Sequence, residues 1–151
     1  MLPFTVYLVC PSATDPTALQ GIIRHYRRQL GAQVGIVVCT AAEAAIHVAM
    51  AAGCSVYVTE AAAAAAAATV KNQIWRSKKT PGWCLLCGPA ALQISTADVE
   101  REEQRGTTIL RCPPATYIFR QDLIREINIA ADESKVTPIG KIVWSEGTYS
   151  M

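Results

Sequence analysis

The sequence predicts an α/β domain built on a mostly parallel sheet, and three observations support that prediction. The chain has 151 residues, of which 51% are hydrophobic and 17% are charged, so it holds enough apolar material for one domain with its own core. Short apolar runs alternate along the chain with longer segments of helical periodicity, as in βαβ units. The runs are continuously apolar, as expected for strands that are covered on both faces.

The first strand and the first helix have the clearest signals. Residues 4–10 are rich in β-branched and aromatic side chains, which favour a strand. Asp15 is a suitable N-cap, and Pro16 fits the first position of a helix. The apolar residues that follow recur at the spacing of one helix face: Leu19, Ile22, Ile23, Tyr26 and Leu30. Gly31 is placed to end the helix.

The same alternation continues along the rest of the chain. Further strands are predicted over residues 34–39, 55–58, 83–87, 107–112 and 141–144, and helices over residues 41–52, 60–78, 96–105 and 115–133. Right-handed crossovers would fold these elements into a three-layer, doubly wound sandwich around a mostly parallel sheet of about five strands, either Rossmann-like or flavodoxin-like. Residues 1–144 would form this single domain, and residues 145–151 a polar C-terminal tail.

An alanine-rich stretch, residues 61–68, lies inside the third predicted helix. Alanine has the highest helix propensity but buries little apolar area. Glu60 would place a carboxylate near the centre of any membrane span drawn over residues 48–70, at a cost of roughly 3 kcal/mol. We therefore predict no membrane span and a soluble domain.

Six cysteines lie inside or at the ends of apolar runs: Cys10, Cys39, Cys54, Cys84, Cys87 and Cys112. This placement favours reduced, buried thiols and an intracellular, reducing compartment, either the cytoplasm or an organelle matrix. Four of the six end a predicted strand and would gather at the carboxyl edge of a parallel sheet. A thiol-lined site is the alternative to simple packing there. Cys84 and Cys87 match C-x-x-C, but residues three apart in a strand face opposite ways, so neither a metal nor a cofactor is predicted.

The loop after the first strand is the best candidate for a small-ligand site. It leads into a helix N-terminus, where backbone N–H groups and the helix dipole favour a phosphate or a carboxylate. The residues that would line the site are Cys10, Ser12, Thr14, Asp15, Thr40 and Glu60. The glycines of the nucleotide-binding loops are missing, so an ordinary helix cap after a buried strand is the alternative.

A basic cluster near the end of the third predicted helix is a candidate for contact with RNA. It consists of Lys71, Trp75, Arg76, Lys78 and Lys79. An aromatic ring among lysines can stack a base while the cations hold phosphates. The net charge of +2 does not by itself indicate a polyanionic partner.

No catalytic constellation emerges from the sequence, since no histidine ends a predicted strand and no nucleophile elbow is present. The leading hypothesis is a non-catalytic domain that acts as a structural or interaction subunit of a larger assembly, with other protein chains as its partners. The alternatives are a small-ligand protein or enzyme that uses the first loop, and an RNA-contacting component of a ribonucleoprotein.

Overall fold

The computed structural model describes residues 1–60, 67–77, 79–113 and 115–150 of the chain. In chain order, the strands of these residues are β1 (Phe4–Val9), β2 (Gly35–Thr40), β3 (Ser55–Val58), β4 (Trp83–Cys87), β5 (Ile109–Cys112), β6 (Thr116–Arg120), β7 (Ile124–Ile129), β8 (Val136–Gly140) and β9 (Trp144–Glu146). The helices are α1 (Pro16–Leu30), α2 (Glu43–Ala51), α3 (Ala67–Ser77) and α4 (Thr96–Gln104). The predicted helix over residues 60–78 is thus seen as α3, while residues 61–66 and 78 lie outside the described part.

The predicted sandwich around a mostly parallel sheet of about five strands is wrong. The described residues form nine strands in two sheets, a seven-stranded sheet of order β3-β2-β1-β4-β6-β5-β9 and a β7–β8 hairpin. Strands β3, β2, β1 and β4 do run parallel to one another. However, β6 lies between β4 and β5 and is antiparallel to both, which makes the large sheet mixed.

The helix predicted over residues 115–133 is also wrong, because this segment forms β6, a turn and β7. Phe119, Leu123 and Ile127 match a helical period by their spacing. The segment 116–120 nevertheless consists mainly of β-branched and aromatic residues, which have high strand propensity. Pairing with two buried strands satisfies the backbone of this segment and decides its conformation.

The first helix confirms its prediction in detail. The Asp15 carboxylate accepts a hydrogen bond from the Thr17 N–H at 3.1 Å, and Pro16 occupies the first helical position. All five apolar residues predicted for its inner face are buried. Gly31 ends the helix with a φ of 90°, a conformation that residues with a side chain rarely adopt.

The large sheet is covered on both faces by different elements. On one face, here called the helix face, α1, α2 and α4 pack over the side chains of Val6, Leu8, Leu85 and Ile118. On the other, here called the hairpin face, α3 and the β7–β8 hairpin together cover a second apolar cluster that includes Tyr7, Leu86 and Phe119. The architecture is therefore three-layered, although one outer layer is half helix and half hairpin.

The crossovers between parallel strands do not all have the same hand. Helices α1 and α2 connect β1 to β2 and β2 to β3 on the helix face, in the direction of the β3 edge. Helix α3 connects β3 to β4 in the reverse direction but on the hairpin face, so all three crossovers have the same hand. The β4–α4–β5 crossover moves toward β9 with α4 on the helix face, so it has the opposite hand. About 98% of such crossovers are right-handed, so at least one crossover of this sheet belongs to the rare left-handed class. The buried Tyr26 hydroxyl holds the segment between β4 and α4, by donating to the Ala90 carbonyl at 2.8 Å and accepting from the Leu92 N–H at 2.9 Å.

Buried polar contacts join α3 to the hairpin. The Asn72 amide group donates to the Ile129 carbonyl at 3.0 Å, and its oxygen accepts from the Ile129 N–H at 2.8 Å. One residue earlier in α3, the buried Lys71 ammonium forms an ion pair with Glu133 at the tip of the hairpin. Glu133 has a φ of 59°, the left-handed conformation. The two Asn72 hydrogen bonds resemble those of a neighbouring strand, because they pair with both backbone groups of Ile129 in β7.

The segment at the C-terminus lies against the same chain. Strand β9 pairs in parallel with β5, and the Gly147 N–H donates to the Arg111 carbonyl at 2.7 Å. The Arg101 guanidinium on α4 donates to the Tyr149 hydroxyl. Among the described residues, no helix is both long enough and apolar enough to span a bilayer.

Substitution of Asn72 by alanine is expected to lower the free energy of unfolding by about 2 kcal/mol or more. The Ile129 N–H and carbonyl would both lose their partner in a buried place, and each such loss costs roughly 1–3 kcal/mol. Urea unfolding followed by circular dichroism measures the change. Gln73→Ala is the matched control, because Gln73 is the exposed neighbour on the same helix. Equal stability of the two variants would contradict the role given to Asn72.

Candidate functional site

The first strand-to-helix loop places Cys10 in the core. Cys10 is fully buried, and its N–H donates to the Cys39 carbonyl at 2.9 Å, which ties the end of β1 to β2. Burial raises the pKa of the Cys10 thiol to about 12. A neutral, enclosed thiol of this kind is a poor nucleophile at physiological pH.

The remaining polar groups of this loop serve the loop itself. The Thr14 hydroxyl donates to the Pro11 carbonyl at 2.7 Å, and the Asp15 carboxylate caps α1. On the next loop the buried Thr40 hydroxyl accepts from the Ala42 N–H at 3.0 Å, and the Thr40 carbonyl accepts from the Thr59 N–H at 3.1 Å. Ser12 and Glu60 are exposed on the surface. Adjacent strands therefore bring Cys10 and Thr40 together, but most of the polar atoms are already engaged in turns and caps.

The cysteines divide between the two faces of the sheet. Cys10, Cys87 and Cys112 belong to the core of the helix face, whereas Cys39 and Cys84 belong to that of the hairpin face. The prediction that Cys84 and Cys87 diverge is therefore confirmed. Burial raises the pKa values of Cys87 to about 11 and of Cys112 to about 12. Within the described residues, no three His, Cys, Asp or Glu side chains are placed to hold one metal ion.

Cys54 differs from the other described cysteines because it is only half-buried. The Arg27 guanidinium lies 3.6 Å from its sulfur. Partial burial raises the pKa of the Cys54 thiol, and the positive charge of Arg27 opposes that effect. This thiol is therefore the most accessible of those described.

A groove lies on the described surface between the C-terminal end of α3 and strand β7. Its volume is about 410 Å³. Its lining residues come from two segments about fifty positions apart and are Trp75, Arg76, Lys79, Arg125, Glu126, Ile127 and Asn128. We call it the basic groove, because it holds three cationic side chains against one carboxylate.

The groove includes only part of the basic cluster predicted from the sequence. Arg76 and Lys79 are exposed in it, whereas Lys71 is buried and paired with Glu133. Trp75 lines the groove but is only 1% exposed, since it packs edge-on against Phe119. Lys78 lies outside the described residues.

Arg125 is a groove residue that sequence reasoning missed. The ladder between β7 and β8 shifts its register between Ile124 and Glu126, and as a result Arg125 and Glu126 are both exposed in succession. Such a bulge re-aims a side chain, here toward α3. The Arg125 carbonyl also accepts from the Trp75 indole N–H at 3.4 Å. No local pattern shows this arrangement, because it needs the hairpin and its contact with α3.

An exposed apolar segment covers residues 139–144, at the end of the hairpin and the start of β9. Its four large apolar side chains are between 38% and 46% exposed: Ile139, Ile142, Val143 and Trp144. The backbone of the segment is nevertheless well held. The Val143 carbonyl accepts from the Thr108 N–H at 2.9 Å and from the Ile109 N–H at 3.1 Å, and the Val143 N–H donates to the Thr108 hydroxyl at 2.8 Å.

No family model, curated protein sequence or solved structure matches this chain. Its function is therefore inferred from the geometry of its own residues.

Alkylation of the native protein at pH 8 is expected to label Cys54 at least tenfold faster than Cys10. With a pKa of about 12, roughly one Cys10 thiol in ten thousand is ionised at that pH, and it is enclosed as well. Iodoacetamide labelling followed by peptide mass mapping measures the two rates. The unfolded protein is the control, because both cysteines should then react alike. Rapid labelling of native Cys10 would reopen the possibility of a thiol site in the first loop.

Alkaline pH is expected to destabilise the fold. The pKa values of the Cys10, Cys87 and Cys112 thiols rise from 9.0 to between about 11 and about 12 on folding. The stability that they contribute is complete below pH 9 and is lost as the pH rises toward their folded values, at about 1 kcal/mol per pH unit for each thiol. Urea unfolding at pH 7.5 and at pH 10.5 should show this loss, and Cys10→Ala should reduce it. A pH-independent unfolding free energy would contradict the burial of these thiols.

Proposed function

We propose that this chain is a non-catalytic interaction subunit of a larger intracellular assembly, and that it binds another protein chain through the apolar segment 139–144. The observation that carries the proposal is the exposure of four large apolar side chains within six residues of the chain: Ile139, Ile142, Val143 and Trp144. Contiguous exposed apolar surface on a folded domain marks an interaction site more often than isolated apolar residues do.

The segment has the properties of a preorganised docking surface. Hydrogen bonds from Val143 to Thr108 and Ile109 fix its backbone, so little further chain entropy is lost when a partner binds. Trp144 supplies a large and rigid aromatic side chain, the residue type most enriched among energetic hot spots. Lys141 and Glu146, both exposed, flank the segment with opposite charges and provide the polar rim that surrounds such patches.

These features define the chemistry of the partner. It is a protein chain that offers an apolar pocket for the indole of Trp144, with polar groups around the pocket. Strand β9 itself is only three residues long, which is too short to dominate binding by strand pairing. Side-chain burial is therefore the main source of affinity.

Substitution of Trp144 by alanine is expected to weaken the complex roughly thirtyfold, the effect of losing a hot spot worth about 2 kcal/mol. The tagged protein, expressed in its own source, would be purified under native conditions and its mass measured by native mass spectrometry. Wild-type protein should appear in a complex that contains other chains, and Trp144→Ala should shift it toward the monomer of 16.2 kDa.

Met50→Ala is the matched control, because Met50 is a 67% exposed apolar residue on α2, away from the segment. Circular dichroism shows whether both variants are folded, and Ile142→Ser provides a second test in the same segment. Wild-type protein that is recovered as a free monomer would overturn the proposal. Equal retention of partners by the Trp144 and Met50 variants would also overturn it.

A further inference from the structure

The basic groove is not part of the apolar segment, and its charges are not balanced within the described chain. Arg101, Arg105 and Arg120 each lie beside a carboxylate, on Asp98, Glu102 and Asp122 respectively. By contrast, no ion pair among the described residues joins Arg76, Lys79 or Arg125 to a carboxylate. Three cations that share a concavity with a single carboxylate, Glu126, keep a net positive charge there, and a bound anion neutralises it.

The positions of the three cations are set by structure rather than by local sequence alone. Arg76 lies in the last turn of α3 and Lys79 just beyond its end, and the bulge in β7 brings Arg125 to the same groove from the other side. The Asn72 contacts with Ile129 and the Trp75 contact with the Arg125 carbonyl fix the two walls relative to each other. Arg76 and Arg125 are thus held on a helix and a strand, which lowers the entropy cost of binding.

The groove has the chemistry of a phosphate site rather than of a base-stacking platform. Arginine pairs with phosphate through two parallel hydrogen bonds, and lysine adds a compact positive charge. The face of the Trp75 indole is not available for a base, because the Lys79 ammonium lies over it at 5.2 Å from the ring centroid. Asn128 adds an exposed amide at the rim. A volume of about 410 Å³ falls within the range of small-ligand sites.

From these observations we infer that the basic groove binds the phosphate groups of a nucleotide, either free or as a unit of a single-stranded RNA. The phosphate is held by Arg76, Lys79 and Arg125, and the negative charge of Glu126 weakens its binding. The inference does not depend on the partner proposed for the apolar segment. A binding assay with purified protein therefore tests it separately.

The experiment uses the full chain and two probes, a ten-residue oligouridylate labelled with a fluorophore and uridine monophosphate as a competitor. Fluorescence anisotropy over a range of salt concentrations gives the affinity and its salt dependence. With three cations engaged, the slope of log K against log salt should be about −2, and each neutralisation should make it shallower by about 0.7. Arg125→Gln and Arg76→Gln should each weaken binding severalfold, and the variant that combines both with Lys79→Gln should abolish it.

Two further variants separate the groove from the general charge of the protein. Arg24→Gln combined with Arg28→Gln removes two exposed charges from α1, on the other face of the sheet, and should leave binding unchanged. Glu126→Gln should strengthen binding by about threefold, because it removes the only carboxylate of the groove.

The two probes distinguish the sources of the phosphate. Tighter binding of the oligonucleotide than of the monophosphate identifies an RNA chain, and equal binding that depends on Arg125 identifies a free nucleotide. The inference is overturned if neither probe binds at low salt. It is also overturned if the α1 variant loses as much affinity as the groove variants do.

Discussion

The large sheet is apolar on both of its faces, and the need to cover both faces determines most of this structure. Among the described helices, three cover one face and α3 covers part of the other. The β7–β8 hairpin completes that layer, and Asn72 joins it to α3 by satisfying the Ile129 backbone. The position of the hairpin in turn fixes the bulge at Arg125 and one wall of the basic groove. A buried side-chain amide is thus the link between the core and a candidate binding surface.

The strands and helices as far as residue 112 could be predicted from the sequence, because their signals are local. Asp15 and Pro16 begin α1 and Gly31 ends it, and the described elements of this part lie close to their predicted positions. The structure beyond residue 112 depends on contacts between distant segments. Phe119 and Ile127 fit a helical and an extended period alike, and pairing with β4 and β5 decides between them. The antiparallel position of β6 leaves no trace in hydrophobic periodicity.

The candidate site residues likewise fall into two groups, those that the sequence indicates and those that depend on contacts between distant segments. Arg76 and Lys79 stand out in the sequence as members of a basic cluster, and the structure places them together. Lys71 belongs to the same cluster by position, but Glu133, sixty-two residues further on, pairs with it in the interior. Arg125 lies inside a segment that the sequence predicts to be helical, so its place in the groove was not expected. Whether a cation lies on the surface or in the core thus depends on partners that are distant in the sequence, and a local pattern does not include them.

The strand order also constrains the sequence of events during synthesis. In the large sheet the neighbours of β5 are β6 and β9, and both follow it in the chain. A ribosome that has released the chain only as far as residue 112 therefore offers β5 no partner, whereas β1 to β4 can already pair with one another. The backbone of β5, with its apolar residues Ile109 and Leu110, therefore stays without a strand partner until β6 has been made. An unpaired apolar strand of this kind is prone to aggregation.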